Sequence, residues 1–214
     1  MNQATRIIAI RHGETTWNAE KRIQGQLDTP LSALGRWQAA QAGLALAQEQ
    51  FHAFYASDLE RAFHTAEAIA AHHGQTVQPH QGLRERHFGS FEGLTWDEIQ
   101  ARWPDQSLSW RQRDQWFTPG SGESLIQLRD RVLGALESIA SQHIGEQILL
   151  AAHGGVMDVL YRAANGVPTD APRDWELGNA AINRLLWTPE GLTLLHWGDT
   201  RHLDGQSPAD EISS

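Results

Sequence analysis

The sequence predicts an α/β fold: a three-layer αβα sandwich in which a mostly parallel, open sheet carries helices on both faces. Three observations point there. Two compact apolar runs, Arg6-Ile7-Ile8-Ala9-Ile10 and Gln147-Ile148-Leu149-Leu150-Ala151-Ala152, each end where polar, glycine-containing sequence begins. Segments with helical periodicity and readable start signals alternate with such runs. No Pro/Gly/Ser-rich or charged linker divides the 214 residues, so one core is expected. Strand, helix, strand, helix order favours parallel pairing through helical crossovers.

In chain order, residues 6–10 read as a buried first strand. A helix follows over about residues 32–48, then a short strand at Ala53-Phe54-Tyr55-Ala56. Ser57 and Glu60 have the spacing of a capping box, and Leu59, Ala62, Phe63, Ala66, Ile69 and Ala70 supply an apolar helical stripe behind it. Thr95 with Glu98 repeats that start signal, and Ser124 with Gln127 gives its glutamine form ahead of Leu128, Val132, Leu136 and Ile139. Residues 147–152 form the second buried strand and run into His153-Gly154-Gly155, with a helix over about 156–164. Residues 181–187 and 192–197, joined through Pro189-Glu190-Gly191, suggest a late antiparallel pair. Residues 1–205 are expected to form a single domain, and 206–214 a frayed tail.

Composition narrows the function classes. A formal net charge of -9 opposes general nucleic-acid or anionic-membrane binding, so an anionic substrate must be caught locally. No apolar run reaches the ~20 residues that span a bilayer, and the opening residues lack a signal-peptide layout; a cytoplasmic location is expected. The absence of cysteine excludes disulfides, thiolate catalysis and cysteine metal sites. Eleven histidines, His72-His73 included, raise a metallohydrolase as one class, but no H-E-x-x-H or comparable spacing occurs, and no metal is expected. No P-loop motif is present either. Lys21 is the only lysine; the remaining basic residues are arginines, whose planar fork suits phosphate.

In parallel sheets ligands collect beyond the carboxyl ends of the strands, and two histidines stand at two such ends. His12 follows the first strand on the loop Arg11-His12-Gly13-Glu14-Thr15. Its neutral ring is nucleophilic if the other nitrogen donates to a fixed acceptor, and Gly13 would let backbone approach a ligand. His153 holds the matching position after the second run; alone it would equally suit a helix-start turn. Arg61 falls in the first turn of its helix, where free N–H groups favour an anion, although an ordinary exposed arginine also fits there. Thr65, one turn on, reads as structural. Glu85, in a stretch without periodicity, can serve as general acid and base, or only pair with Arg84 or Arg86 at the surface for roughly 0 to 1 kcal/mol.

Five ordered blocks carry a resemblance. They are Arg11-His12-Gly13-Glu14-Thr15 with Trp17-Asn18; Asp28-Thr29-Pro30-Leu31-Ser32 with Gly35; Ser57-Asp58-Leu59-Glu60-Arg61-Ala62 with Thr65-Ala66; Leu83-Arg84-Glu85 with Gly89 and Glu92-Gly93; and Ala152-His153-Gly154-Gly155. Together they resemble the histidine phosphatase, or phosphoglycerate-mutase-like, superfamily over most of the chain. The resemblance implies that His12 is phosphorylated, that Arg11, Arg61 and His153 clamp the phosphoryl oxygens, and that Glu85 donates the proton. It places Asn18 at a phosphate-contacting position, and Thr15, Gln24, Gly25, Arg86 and Gly154 where members touch substrate. It implies a metal-independent phosphomonoester hydrolase that acts on a small phosphorylated metabolite and needs no cofactor.

Within such a family, mutases carry a longer insertion after the glutamate block, asparagine where this chain has Gly155 and tyrosine where it has Phe88. Those departures, with Pro119-Gly120-Ser121-Gly122-Glu123-Ser124, favour the phosphatase branch. Phosphoglycerate mutase is the alternative, since Trp110-Arg111-Gln112-Arg113 offers basic contacts; a silent phosphate-binding protein is a further one. Trp96, Trp103, Trp110 and Trp116 crowd the same region and suit either structural packing or an entrance wall. The sequence allows a homodimer without specifying one.

Overall fold

The computed structural model describes residues 4–205; the tail expectation for 206–214 lies outside the described residues. Six strands form one sheet: β1 (Thr5–Arg11), β2 (Ala53–Ala56), β3 (Val77–Pro79), β4 (Gln147–Ala152), β5 (Ile182–Thr188) and β6 (Gly191–Asp199), in the order β3-β2-β4-β1-β5-β6. The first four in that order run parallel, and β5 and β6 add an antiparallel edge.

The central strands read as continuous apolar runs because both of their faces are buried. Ile7 and Ala9 of β1 point into one core, which holds Leu128, Val132 and Leu136 of α6 (Leu125–Ala140) and Val156, Met157 and Leu160 of α7 (Gly154–Asn165). Ile8 and Ile10 point into the other, with Ala42 and Leu46 of α2 (Ala33–Leu46) and Ala66 and Ile69 of α3 (Glu60–Ala70). Complete burial of one such isoleucine contributes about 1.5–3 kcal/mol, so the period-two alternation of β1 fixes both helical layers at once.

The capping boxes expected at Thr95 and Ser124 both form, opening α4 (Trp96–Arg102) and α6. The one expected at Ser57 does not. Ser57 is buried beyond the end of β2, its hydroxyl accepts from the Leu59 N–H at 3.3 Å, and α3 begins after Leu59 with no cap from its own segment. The Glu60 N–H is satisfied instead by Asp28 Oδ1 at 2.8 Å. The last helix begins two residues earlier than expected, directly after His153. Strand β3 and the short helices α1 (Thr16–Ala19) and α5 (Pro104–Arg111) had no sequence-level signal strong enough to name them.

The tryptophans divide. Trp103 and Trp110 stack on Phe91, and Trp96 meets Trp110 edge-on at 5.1 Å, forming a small aromatic core under α4 and α5. Trp116 stands apart, 69% exposed.

Candidate active site

Parallel pairing of β1 with β4 aligns Arg11 with Ala152, so the residues that follow, His12 and His153, emerge side by side. The His12 N–H donates to the Ala152 carbonyl at 2.9 Å, and the ring centroids lie 5.2 Å apart. His12 Nδ1 donates to the Gly13 carbonyl at 2.7 Å, which leaves Nε2 with the lone pair. Three non-neighbours hold this loop. The Gly13 N–H donates to Thr65 Oγ1 at 3.1 Å, Asn179 Nδ2 donates to the His12 carbonyl at 2.9 Å, and Gly13 abuts Gly35 so closely that a Cβ at 13 would fall 2.3 Å from the Gly35 carbonyl oxygen. The glycine at 13 therefore serves this backbone crossing, where the sequence suggested ligand approach.

Both imidazoles are buried, His12 at 2% and His153 at 0% exposure. Burial first, and then the positive charge of Arg61, pushes each pKa well below its ordinary value near 6.5. Both rings are therefore neutral at physiological pH. The unfolded chain binds protons near pH 6.5 that the folded chain refuses, so this contribution to stability is full above 6.5 and declines as pH falls below it. The melting temperature is expected to drop between pH 7.5 and 5.5, less steeply in His153→Gln; an identical slope in that variant would contradict the assignment.

Arg11 is the last residue of β1, and Arg61 is fully buried in the first turn of α3. Arg61 Nη1 and Nη2 donate to the carbonyls of Leu27 and Gly25 at 2.9 and 2.7 Å, and Arg11 Nη1 donates to that of Leu177. The Nε atoms of both arginines, and both ring nitrogens of His153, are buried without a partner. The exposed-arginine alternative for Arg61 is thereby removed.

Glu85 is not in a surface ion pair; Arg84 bonds Asp58 instead, at 2.7 and 2.5 Å. The Glu85 carboxyl accepts from the Gly155 N–H at 3.1 Å to each oxygen and from the Arg86 N–H at 2.7 Å. A Cβ at position 155 would fall 2.2 Å from Glu85 Oε1, so this stance depends on glycine there. Arg131 of α6 steadies the same segment by donating to the carbonyls of Gly82, Arg84 and Glu85. Nothing in the sequence marked Arg131 or Asn179 for these tasks, and Thr65 read as structural without its partner being legible, because each acts on residues distant in the chain.

Two adjoining cavities share Arg11, Glu85 and Phe88. The smaller is walled by His12, Arg61, Asn18, Gln24 and Gly25, and also by Arg22. The larger, about 690 Å³, is walled by Arg86, Gly154 and Trp110 among others. Thr15 differs: it is fully buried and caps α1, its hydroxyl meeting Asn18 Oδ1 and Gln24 Oε1, so it shapes the wall from behind. Arg86 is 3% exposed and bonds the carbonyls of Glu123 and Phe117; burial lowers its pKa to about 10. Among the described residues no group of three or more His, Cys, Asp or Glu side chains is placed to hold a metal ion, and no helix is long and apolar enough to cross a membrane.

Residues 7–200 match the histidine phosphatase superfamily (branch 1). The chain is 40% identical over 202 residues to phosphoglycerate mutase-like protein 4 of Arabidopsis thaliana, covering 92% of this chain and 86% of that one. It is 38% identical over 205 residues to the metal-independent phosphoserine phosphatase of the same plant, covering 94% and 84%. Among solved structures, Bacillus stearothermophilus YhfR superposes with a TM-score of 0.87 at 32% identity, over 94% of this chain and 100% of the other. A match of this extent, on a sheet that presents paired histidines between buried arginines, means that the chain belongs to the histidine phosphatase superfamily.

Proposed function

We propose that this protein hydrolyses phosphomonoesters of small metabolites through a phosphohistidine on His12. One observation supports the reading above all others. The unpartnered buried nitrogens of Arg11, Arg61 and His153 surround a neutral imidazole whose Nδ1 is tied to Gly13. A buried polar group left unpaired costs about 1–3 kcal/mol, and a bound phosphoryl group repays that cost with charge-assisted bonds.

In the first step Nε2 of His12 attacks phosphorus as the bond to the leaving oxygen breaks, and Glu85 gives that oxygen its proton. Arg11, Arg61 and His153 take the charge spread over the equatorial oxygens. The Gly13 carbonyl, accepting from Nδ1, supports the positive ring that results. In the second step water attacks phosphorus, its proton passes to the Glu85 carboxylate, and the P–N bond breaks to restore neutral His12. Hydrolysis, in preference to mutase transfer, is supported by Gly155. The side chain of an asparagine there would displace the Glu85 carboxyl from its present stance. A single-domain enzyme over residues 1–205, acting in the cytoplasm, belongs to the same proposal.

Glu85→Gln tests the proton donor. The loss in kcat/KM is expected to reach about 10²-fold for an alkyl phosphate and to stay far smaller for p-nitrophenyl phosphate, whose leaving group needs no proton. Equal losses for both would contradict the role.

A further inference from the structure

Glu85 stands where the two cavities meet, so on the proposed reading the leaving alcohol extends into the larger one. In a chain of net charge -9, that cavity is lined by five arginines, at 11, 86, 111, 113 and 173, against two carboxylates, Glu85 and Asp158. Four of the five are already committed. Arg11 donates to the Leu177 carbonyl, and Arg86 holds the carbonyls of Glu123 and Phe117. Arg111 lies 4.7 Å over Trp96 and bonds Gln100, while Arg113 bonds Asp158 at 2.9 Å and the Thr169 carbonyl. Asp158 Oδ2 is shared between Arg113 and Arg162, each at 2.9 Å, so two guanidiniums face this one carboxylate, whose Oδ1 is buried without a partner.

Arg173 is the exception: it is exposed, lines the cavity, and makes no ion pair or side-chain hydrogen bond among the described residues. Its loop is nevertheless held on both sides, since before it the Ala171 carbonyl accepts from Arg162 Nη2 at 2.9 Å. Trp175 stacks on Tyr161 with centroids 4.1 Å apart, and the Leu177 carbonyl is gripped by Arg11. The cavity thus presents one guanidinium that, among the described residues, has neither a side-chain hydrogen bond nor an ion pair, on an anchored loop, beside aromatic Phe88 and Trp110.

We propose, resting on the phosphatase reading above, that this cavity selects phosphomonoesters whose alcohol carries a second anionic group, and that Arg173 receives that group. Arg173 is a specificity residue here and takes no part in phosphoryl transfer.

The test compares 3-phosphoglycerate with glycerol 3-phosphate, which match in size but differ by a carboxylate, and adds propane-1,3-diol bisphosphate to tell a carboxylate from a second phosphate. The wild type is expected to favour an anionic-tailed substrate, and Arg173→Ala to lower its kcat/KM at least about tenfold, mainly through KM, as loss of a charge-assisted bond implies. Glycerol 3-phosphate and p-nitrophenyl phosphate are expected to change less than about twofold, and Arg173→Lys to recover part of the loss. Whichever anionic substrate suffers identifies the group received. Hydrolysis of p-nitrophenyl phosphate without any preference for an anionic tail, or equal losses on all substrates in Arg173→Ala, would overturn the inference while leaving the phosphatase reading intact. No turnover of any substrate by the wild type would overturn both.

Discussion

His12→Ala is expected to lower phosphate release by at least about 10⁴-fold while leaving the protein folded, because the substitution removes the nucleophile and no other group can replace it. The nearest imidazole, His153, lies 5.2 Å away between ring centroids and is fully buried, so its approach to phosphorus differs from that of His12. The fold should survive. The ring's Nδ1 bond is to its own neighbour, Gly13, and the backbone of the loop is held independently by Ala152, Thr65 and Asn179. Steady-state release from p-nitrophenyl phosphate, with a melting curve as control, measures this. Activity within tenfold of wild type in a folded variant would contradict the assignment.

Arg61→Ala is expected to cost both activity and stability. The lost charge opposite the developing phosphoryl oxygens should lower kcat/KM by about 10²–10³-fold or more, the scale found when one preorganised donor is removed. The carbonyls of Gly25 and Leu27 lose their donor, at about 1–3 kcal/mol for each that stays buried and unpaired. Arg61→Lys keeps the charge but not the fork, so it cannot hold both carbonyls and face an anion together. It is expected to recover a minor part of either loss. Urea midpoints and kinetics on the same samples separate the two effects, and full rescue by lysine would show that the fork is unimportant.

The parts of this molecule that were legible in the sequence are those whose cause is local. The central strands declared themselves because burial on both faces demands continuous apolar residues, as in Ile7 to Ile10 and Ile148 to Ala152. The boxes at Thr95 and Ser124 declared two helix starts because donor and acceptor lie three residues apart. The histidines were visible because each directly follows such a strand. What was misread or missed has its cause elsewhere in the chain. The start of α3 looked like a Ser57 cap, but its Glu60 N–H is answered by Asp28, 32 positions away. The resemblance set Thr15 where members touch substrate, but here its hydroxyl is engaged with Asn18 and Gln24. The cationic cavity joins Arg86, Arg113 and Arg173 from three segments, and only folding brings them together. Strand β3, three residues long and mostly exposed, offered no periodicity to read.

The most direct measurement is rapid quenching of the wild-type protein during turnover of a radiolabelled phosphomonoester. Label is expected on the protein in near-stoichiometric amount, stable in base, labile in acid, confined to the peptide that contains His12, and absent from His12→Ala. Turnover with no label on the protein, or with label on a carboxylate or on another histidine, would mean that His12 is not the nucleophile.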